Sequence, residues 1–292
     1  SMLVAMDLSG GPGGVPGGAA ADGGALSGAR LLRLNIDAVR ALHRPLVYYA
    51  ATAAMDVASD AWLYAKGFRR QTHAASGLRY WRRRATQAPS SPHSPSASSP
   101  PPPPPPLVFV HGVGMGLVTY APFLHSVFAS LPAATHDIIM FELPHVSMKL
   151  TTADAPRMAQ FAECADDVLN GGGGARSACG DGGGDGGGNG IGAVWLAHSL
   201  GTLVTAAVLR LRPHLVARLV LVDPVCFLLW EATLVRAFVY NNSPETPSQV
   251  IRHYHIMREL HIAHFFHRHF WWHECVCFAE HLPAHTVVFV PQ

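Results

Sequence analysis

Charge is scarce in this chain. Of its 292 residues only 14% are Asp, Glu, Lys or Arg, well under the roughly 25% usual in soluble domains. Lys+Arg 21 against Asp+Glu 19 leaves a formal charge of +2. No basic field of the kind that drives phosphate-led binding exists, so no nucleic-acid partner is expected. Cysteine is scarce as well: five thiols, an odd number, do not make a secreted disulfide framework, and a reducing, intracellular compartment is favoured. Long hydrophobic runs are missing too. The best stretch, residues 45–63, is interrupted by Asp56 and Asp60, so no membrane span is expected. Those carboxylates lie four apart on one helical face and predict a solvated amphipathic helix. The first residues lack the basic-then-apolar layout of a secretory signal, and with Ser1 ahead of Met2 the natural start is not read from this chain.

What is abundant is clustered. Hydrophobic residues reach 49%, enough for a sizeable core, while Gly 28 and Pro 23 concentrate in three stretches. Residues 1–30 are a Gly/Ala-rich tail expected to be disordered. Residues 88–106 are Ser/Pro-rich and end in an unbroken run from Pro100 to Pro106. Such a run adopts polyproline II and could dock on a polyproline-binding partner, although a rigid surface insert is the plainer reading. Residues 171–190 mix Gly with Asp but hold no nine-residue calcium-repeat period, and read as a flexible linker. An N-terminal helical segment is expected over 31–67 and a core over 68–292.

Between these stretches the patterns alternate. Strands are expected at 77–84 (GLRYWRRR), 107–111 (LVFVH), 137–141 (DIIMF), 191–197 (IGAVWLA), 219–222 and 286–290 (TVVFV), with helices over 120–131, 154–169 and 200–211. Strands that are apolar on both faces and alternate with helices predict an α/β fold with a mostly parallel sheet covered on both sides.

The sharpest chemistry is Ala197-His198-Ser199-Leu200-Gly201. A strand running straight into small-x-Ser-x-Gly and then a helix is the nucleophile-elbow arrangement. The serine sits in a strained turn, and its neighbours two positions away must be small so that the backbones can approach. Ala197 and Gly201 are small. Such a turn requires φ > 0 at Ser199 and aims it at free N–H groups of the following helix, where an oxyanion can be held. Upstream, strand LVFVH runs into His111-Gly112-Val113-Gly114-Met115-Gly116. A dinucleotide loop is the rival reading of these glycines. Its third glycine would have to fall at 117, which is leucine, and Glu142 lies too far on to be the ribose acid.

The HG loop, with the elbow, resembles the α/β-hydrolase superfamily over roughly residues 77–292. More narrowly the chain resembles a eukaryotic branch of AB hydrolase-1-like members, through HGVGMG, ELPHVS at 142–147, HSLGT at 198–202, LVDPVCFLL at 221–229 and RHFWW at 268–272. The resemblance implies Ser199 as nucleophile, with Val113 and Leu200 N–H groups as the oxyanion hole. His111, Gly112, His198 and Gly201 are implied as supporting residues. It also implies a helical lid over 226–284. The triad runs Ser, then acid, then His along this fold. Asp223 is the well-placed acid after strand LVLV, though most relatives carry theirs one strand later. That later position, and the histidine beyond it, would follow TVVFV, where the sequence stops at Gln292. The chain is therefore expected to be C-terminally truncated, lacking the last strand and helix, and nearly inert toward simple esters. Within the lid, His281 is the candidate replacement base, and His285 should point away.

The lid's aromatics, among them Trp230, Phe265, Phe266, Phe270, Trp271 and Trp272, suit a hydrophobic acyl substrate and equally suit simple packing on the core. His261 and His264 share a helical face, but no ordered CxxC or acidic second shell accompanies them. The lid histidines, His253, His255, His261, His264, His267, His269 and His273, are read as surface residues, and no metal or cofactor is expected. The expected function is a serine esterase or lipase-like hydrolase of a small hydrophobic ester or lipid, working through an acyl-enzyme. The alternative is a non-catalytic α/β-hydrolase-like binding or scaffold protein.

Overall fold

The computed structural model describes residues 33–86, 104–131, 136–151, 154–170, 192–240, 244 and 246–290. The Gly/Ala-rich tail, the Gly-rich linker and most of the Ser/Pro-rich stretch lie outside them. Among the described residues seven strands, β1 (Arg69–Thr72), β2 (Arg79–Arg83), β3 (Leu107–Val110), β4 (Ile138–Phe141), β5 (Ala193–His198), β6 (Val216–Val222) and β7 (Thr286–Phe289), form one sheet. Their order is β1-β2-β4-β3-β5-β6-β7. Strand β3 pairs in parallel with β4 and β5, and β5–β6 and β6–β7 are also parallel; β1 and β2 join antiparallel. The expected α/β class with a mostly parallel sheet is what the chain forms.

Period-two alternation divides the central strands between two cores. Val108, Val110, Ile139, Phe141 and Trp195 face one side, where they pack with helices α3 (Met158–Asn170) and α4 (Gly201–Leu211) through Phe161, Ala165, Ala207 and Val208. Phe109, Ile138, Met140 and Trp81 face the other, against α1 (Leu46–Ala65) and α2 (Ala121–Ser130) through Leu63, Leu124 and Phe128. Each fully buried aromatic or aliphatic side chain contributes about 1.5–3 kcal/mol. This explains why the central strands read as continuous apolar runs: neither face meets water.

Three expectations shift. The hairpin partner β1 (RRQT) has no counterpart among the expected strands, because an edge strand with exposed arginines carries no apolar alternation. Helix α3 begins at Met158 rather than 154, since Pro156 precedes it and Gln160 Oε1 accepts the Arg157 N–H at 2.9 Å. The carboxylates of α1 are not simply solvated: Asp56 pairs with Lys149 at 2.9 Å and Asp60 with Arg70 at 2.7 Å. Of the proline run, Pro104, Pro105 and Pro106 are within the described residues, and the Pro106 carbonyl accepts Val194 N–H at 2.9 Å at the start of β5.

Between β6 and β7 lies a helical insert, with α5 (Ala232–Val239), α6 (Pro247–Arg252), a π-helical turn at His253–Met257 and α7 (Leu260–Arg268). Residues 33–45 run along it. Tyr240 Oη donates to Asp37 Oδ2 at 3.0 Å, Arg268 donates to the Asp37 carbonyl at 2.8 Å, and Arg258 donates to the Arg40 carbonyl at 3.0 Å. The Leu42 N–H reaches the Arg258 carbonyl at 2.9 Å, and the Arg44 guanidinium both bonds the Tyr254 carbonyl and lies 3.6 Å from that tyrosine's ring centroid. No helix among the described residues is long and apolar enough to cross a membrane.

Candidate active site

Ser199 stands between β5 and α4 with φ 49°, a conformation that L-residues avoid. Its N–H donates to the Val222 carbonyl at 2.9 Å, tying the turn to β6, while its carbonyl accepts the Thr202 N–H at 2.9 Å and hydroxyl at 2.6 Å. The small flanks have their physical reason. Ala197 is fully buried, and a Cβ on Gly201 would lie 2.3 Å from the Val110 carbonyl oxygen.

The loop after β3 comes directly against this turn. A Cβ on Gly112 would lie 3.0 Å from Ser199 Cβ and 2.9 Å from Tyr120 Oη. The loop is held from below by His111, which is completely buried. Leu143 N–H donates to His111 Nε2 at 3.0 Å, so its proton sits on Nδ1, which donates to the Gly112 carbonyl at 2.7 Å. Burial holds His111 neutral, pushing its pKa down to about 4. The ELPHVS segment completes the brace. Gly114 N–H donates to the Val146 carbonyl at 2.9 Å, and Ser147 Oγ donates to the Leu143 carbonyl at 2.6 Å. The buried Glu142 accepts Trp81 Nε1–H at 2.6 Å and meets Lys149 at 3.5 Å and Arg79 at 3.7 Å. Burial acts to raise the Glu142 pKa, but these partners, Lys149 first, hold it below the usual carboxylate value.

Two backbone donors are left over. Neither Val113 N–H nor Leu200 N–H meets an acceptor among the described residues, and both residues line the cavity that Ser199 lines. That cavity has a volume of about 540 Å³, within the range of small-molecule sites. Its walls are mostly apolar: Leu203 and Val225 on the sheet side, and Val235, Phe238, Met257, Phe266 and Phe270 from the insert. Gln249, Arg252 and His253 give it a polar part.

A strand-turn-helix elbow on the central parallel strand, facing a glycine loop from the neighbouring strand, fixes the architecture. This is the α/β-hydrolase fold. No family model and no curated protein matches the chain. Among solved structures it is similar to a membrane phospholipase A described as a bacterial virulence factor, with 13% identity, TM-score 0.44, and 83% of this chain and 76% of that one covered. It is also similar to a point variant of aCif, with 14% identity, TM-score 0.42, and coverage of 81% and 75%. A third is the epoxide hydrolase VrEH1 from Vigna radiata, with 11% identity, TM-score 0.37, and coverage of 65% and 53%. At such identities the fold rests on this chain's own strand order and crossovers.

The remaining sequence candidates are distributed unevenly. His198 points away from the cavity: Gly112 N–H donates to Tyr120 Oη at 2.8 Å, and the Tyr120 hydroxyl is hydrogen-bonded to His198 Nδ1 at 2.7 Å. Burial lowers the His198 pKa, and the charge of Asp223 acts in the opposite sense. Asp223 follows β6 at φ 47°, exposed, its N–H donating to the Phe289 carbonyl at 2.8 Å. Ser199 Oγ hydrogen-bonds no histidine among the described residues. His281 accepts the Phe278 N–H at 3.2 Å, and His285 is exposed ahead of β7; neither lines the cavity.

The reading of the insert histidines as surface groups is corrected. His267 is buried, with its pKa pushed down to about 4, chiefly by that burial. His253 lines the cavity, its Nε2 accepting Arg258 Nε–H at 3.3 Å. His145, His261, His264 and His269 surround a second cavity of about 330 Å³ with Asp154. Among the described residues no three His, Cys, Asp or Glu side chains are gathered as a metal site. Tyr120 is a site-forming residue that sequence reasoning misses, and Thr202, at the end of the HSLGT motif, and His253, among the insert histidines, receive no site role from it. An isolated Tyr, Thr or His on a helical pattern has no spacing signature, and only the three-dimensional approach of the loop, the elbow and the insert gives them a role.

Proposed function

We propose that the protein is a serine hydrolase that cleaves a hydrophobic acyl ester through an acyl-enzyme, with Ser199 as nucleophile. The observation that carries this reading is Ser199 held at φ 49° on the wall of an apolar cavity, beside two unused backbone donors. In this mechanism the Ser199 hydroxyl attacks the ester carbonyl. The developing oxyanion accepts from Val113 N–H and Leu200 N–H, which cost no reorganisation because the braced loop and the turn already present them. The insert acts as a lid whose apolar residues receive the acyl chain. A histidine must take the serine proton and later activate water; among the described residues His253 shares the cavity, and it serves as base once its Nε2 lone pair is released from Arg258 Nε–H. A serine nucleophile, rather than a carboxylate, separates this chemistry from that of an epoxide hydrolase.

A second reading, a non-catalytic ligand-binding protein, is favoured by one observation: no histidine is hydrogen-bonded to Ser199 Oγ among the described residues. A fluorophosphonate probe separates the two, since labelling requires an activated serine. Covalent modification that maps to Ser199 and disappears in Ser199→Ala supports the hydrolase. Absence of labelling, with the cavity still binding a fatty acid, supports the binding protein.

A further inference from the structure

Below the elbow, two chain segments that frame the insert meet at a pair of thiols. Cys226 follows β6 three residues after Asp223, and Cys277 lies near the far end of the insert, shortly before β7. Both are free and buried, 1% and 2% exposed. The Cys277 N–H donates to the Cys226 carbonyl at 3.0 Å. That bond holds the two backbones side by side, and a disulfide needs Cα atoms no farther apart than about 6.8 Å. Both thiols are packed into the same buried core at this junction, and Cys277 Sγ–H reaches the Phe278 carbonyl at 3.7 Å. Thr202, whose hydroxyl holds the Ser199 carbonyl, accepts the N–H of Val225, the residue before Cys226, at 3.2 Å.

We propose that Cys226 and Cys277 form a reversible disulfide that pins both roots of the insert together beneath the Ser199 turn. The pair is chemically unequal, which suits stepwise oxidation. The interaction of the two neighbouring thiols holds the Cys277 thiol below its ordinary pKa, while that interaction and burial push Cys226 above it. The other described thiols, Cys164 and Cys275, are both pushed up to about 12 by burial and are unreactive by comparison.

The oxidant is a small peroxide. The Cys277 sulfur, as thiolate, attacks one peroxide oxygen; the O–O bond breaks, a sulfenic acid forms, and the departing hydroxide leaves as water with the proton that the thiol gave up. Cys226 sulfur then attacks the sulfenic sulfur and the S–O bond breaks. The hydroxyl leaves as a second water, carrying the Cys226 proton. Two thiols are thereby oxidised by two electrons and one peroxide is reduced. A dithiol reductant reverses the bond by exchange. Closing a ring that contains the whole insert restricts the unfolded chain, so the oxidised protein is the more heat-resistant form.

The test uses the full chain, treated with hydrogen peroxide or with diamide under non-reducing conditions and then alkylated and digested. The expected result is a linked peptide pair joining Cys226 to Cys277, an intact mass lower by two hydrogen atoms, and a Tm raised by several degrees. All three should return to the starting values with dithiothreitol. Cys226→Ser and Cys277→Ser should each abolish the link and the Tm shift. Should either variant fail to fold, the peptide map and its reversal in the unmodified protein still decide. Linkage through Cys275 or Cys179 instead, no linkage at all, or a formed link that leaves Tm unchanged would overturn the proposal.

Discussion

Two adjacent parallel strands of this sheet end in the same backbone contortion and in opposite surroundings. Ser199 after β5 and Asp223 after β6 have φ values of 49° and 47°, and each donates its N–H to the last part of the next strand. Beyond that the likeness stops. The Ser199 turn runs into α4, faces a glycine loop supported by buried groups, and opens on an apolar cavity. The Asp223 turn runs into irregular chain and its side chain is exposed. A strained dihedral is thus not in itself a sign of chemistry. What distinguishes the first turn is the number of independent contacts that hold the strain in place.

The comparison can be broken most sharply at the nucleophile. Ser199→Ala should reduce ester cleavage to background, a loss of about 10⁶-fold if the base is in place, with Tm unaffected. Asp223→Asn should change the rate less than about tenfold, roughly 1.4 kcal/mol of barrier, because its carboxylate reaches the site only through its field at His198. Steady-state rates on a p-nitrophenyl acyl ester measure both. A large loss in Asp223→Asn would show that the two turns act as one unit.

Next comes packing. Gly201→Ala places a methyl against backbone that cannot swing away, and should cost about 3 kcal/mol or more in urea denaturation. Equal stability to the parent chain would mean that the elbow is looser than its geometry.

Acid should likewise discriminate between the turns. His111 is neutral in the folded protein, with a pKa near 4 against 6.5 unfolded. Between those values the unfolded chain binds the proton and the folded chain does not, so stability is complete above about pH 6.5 and falls as pH drops toward 4. The contribution at stake is about 3 kcal/mol, and His145 and His267, also near 4, act in the same direction. Tm measured from pH 7.5 to 4.5 should decline, and His111→Gln should flatten part of that slope. The smallest effect is the release of strain itself: Ser199→Gly and Asp223→Gly should each stabilise by about 1 kcal/mol, the former at the expense of all activity.

Much of this could be read in the sequence, for a physical reason. Central strands buried on both faces, such as IIMF, give unbroken apolar runs, and the elbow and HG loop demand small residues at fixed offsets. Gly112 and Gly201 are where a Cβ would collide. The β1 strand escapes because an exposed edge needs no apolar pattern; His111 is legible as a support of the HG loop, whereas Leu143 and Tyr120, each ordinary by itself, escape as its companions in the brace. His253 is visible as one of many insert histidines. Its place on the cavity wall depends on how the π-helical turn is rotated, which periodicity at 3.6 residues does not encode.

Residues 33–45 carry a consequence of their own. Their hydrogen bonds to Tyr240, Arg258 and Arg268, together with Arg44 stacked on Tyr254, make this stretch a guy-rope that runs from the foot of α1 across the roof of the cavity. Any outward swing of the roof must first slacken that rope. Amide exchange along 33–45 and along α7 should therefore rise and fall together, so that the quietest part of the molecule chemically serves as the gauge of how often its cavity is open.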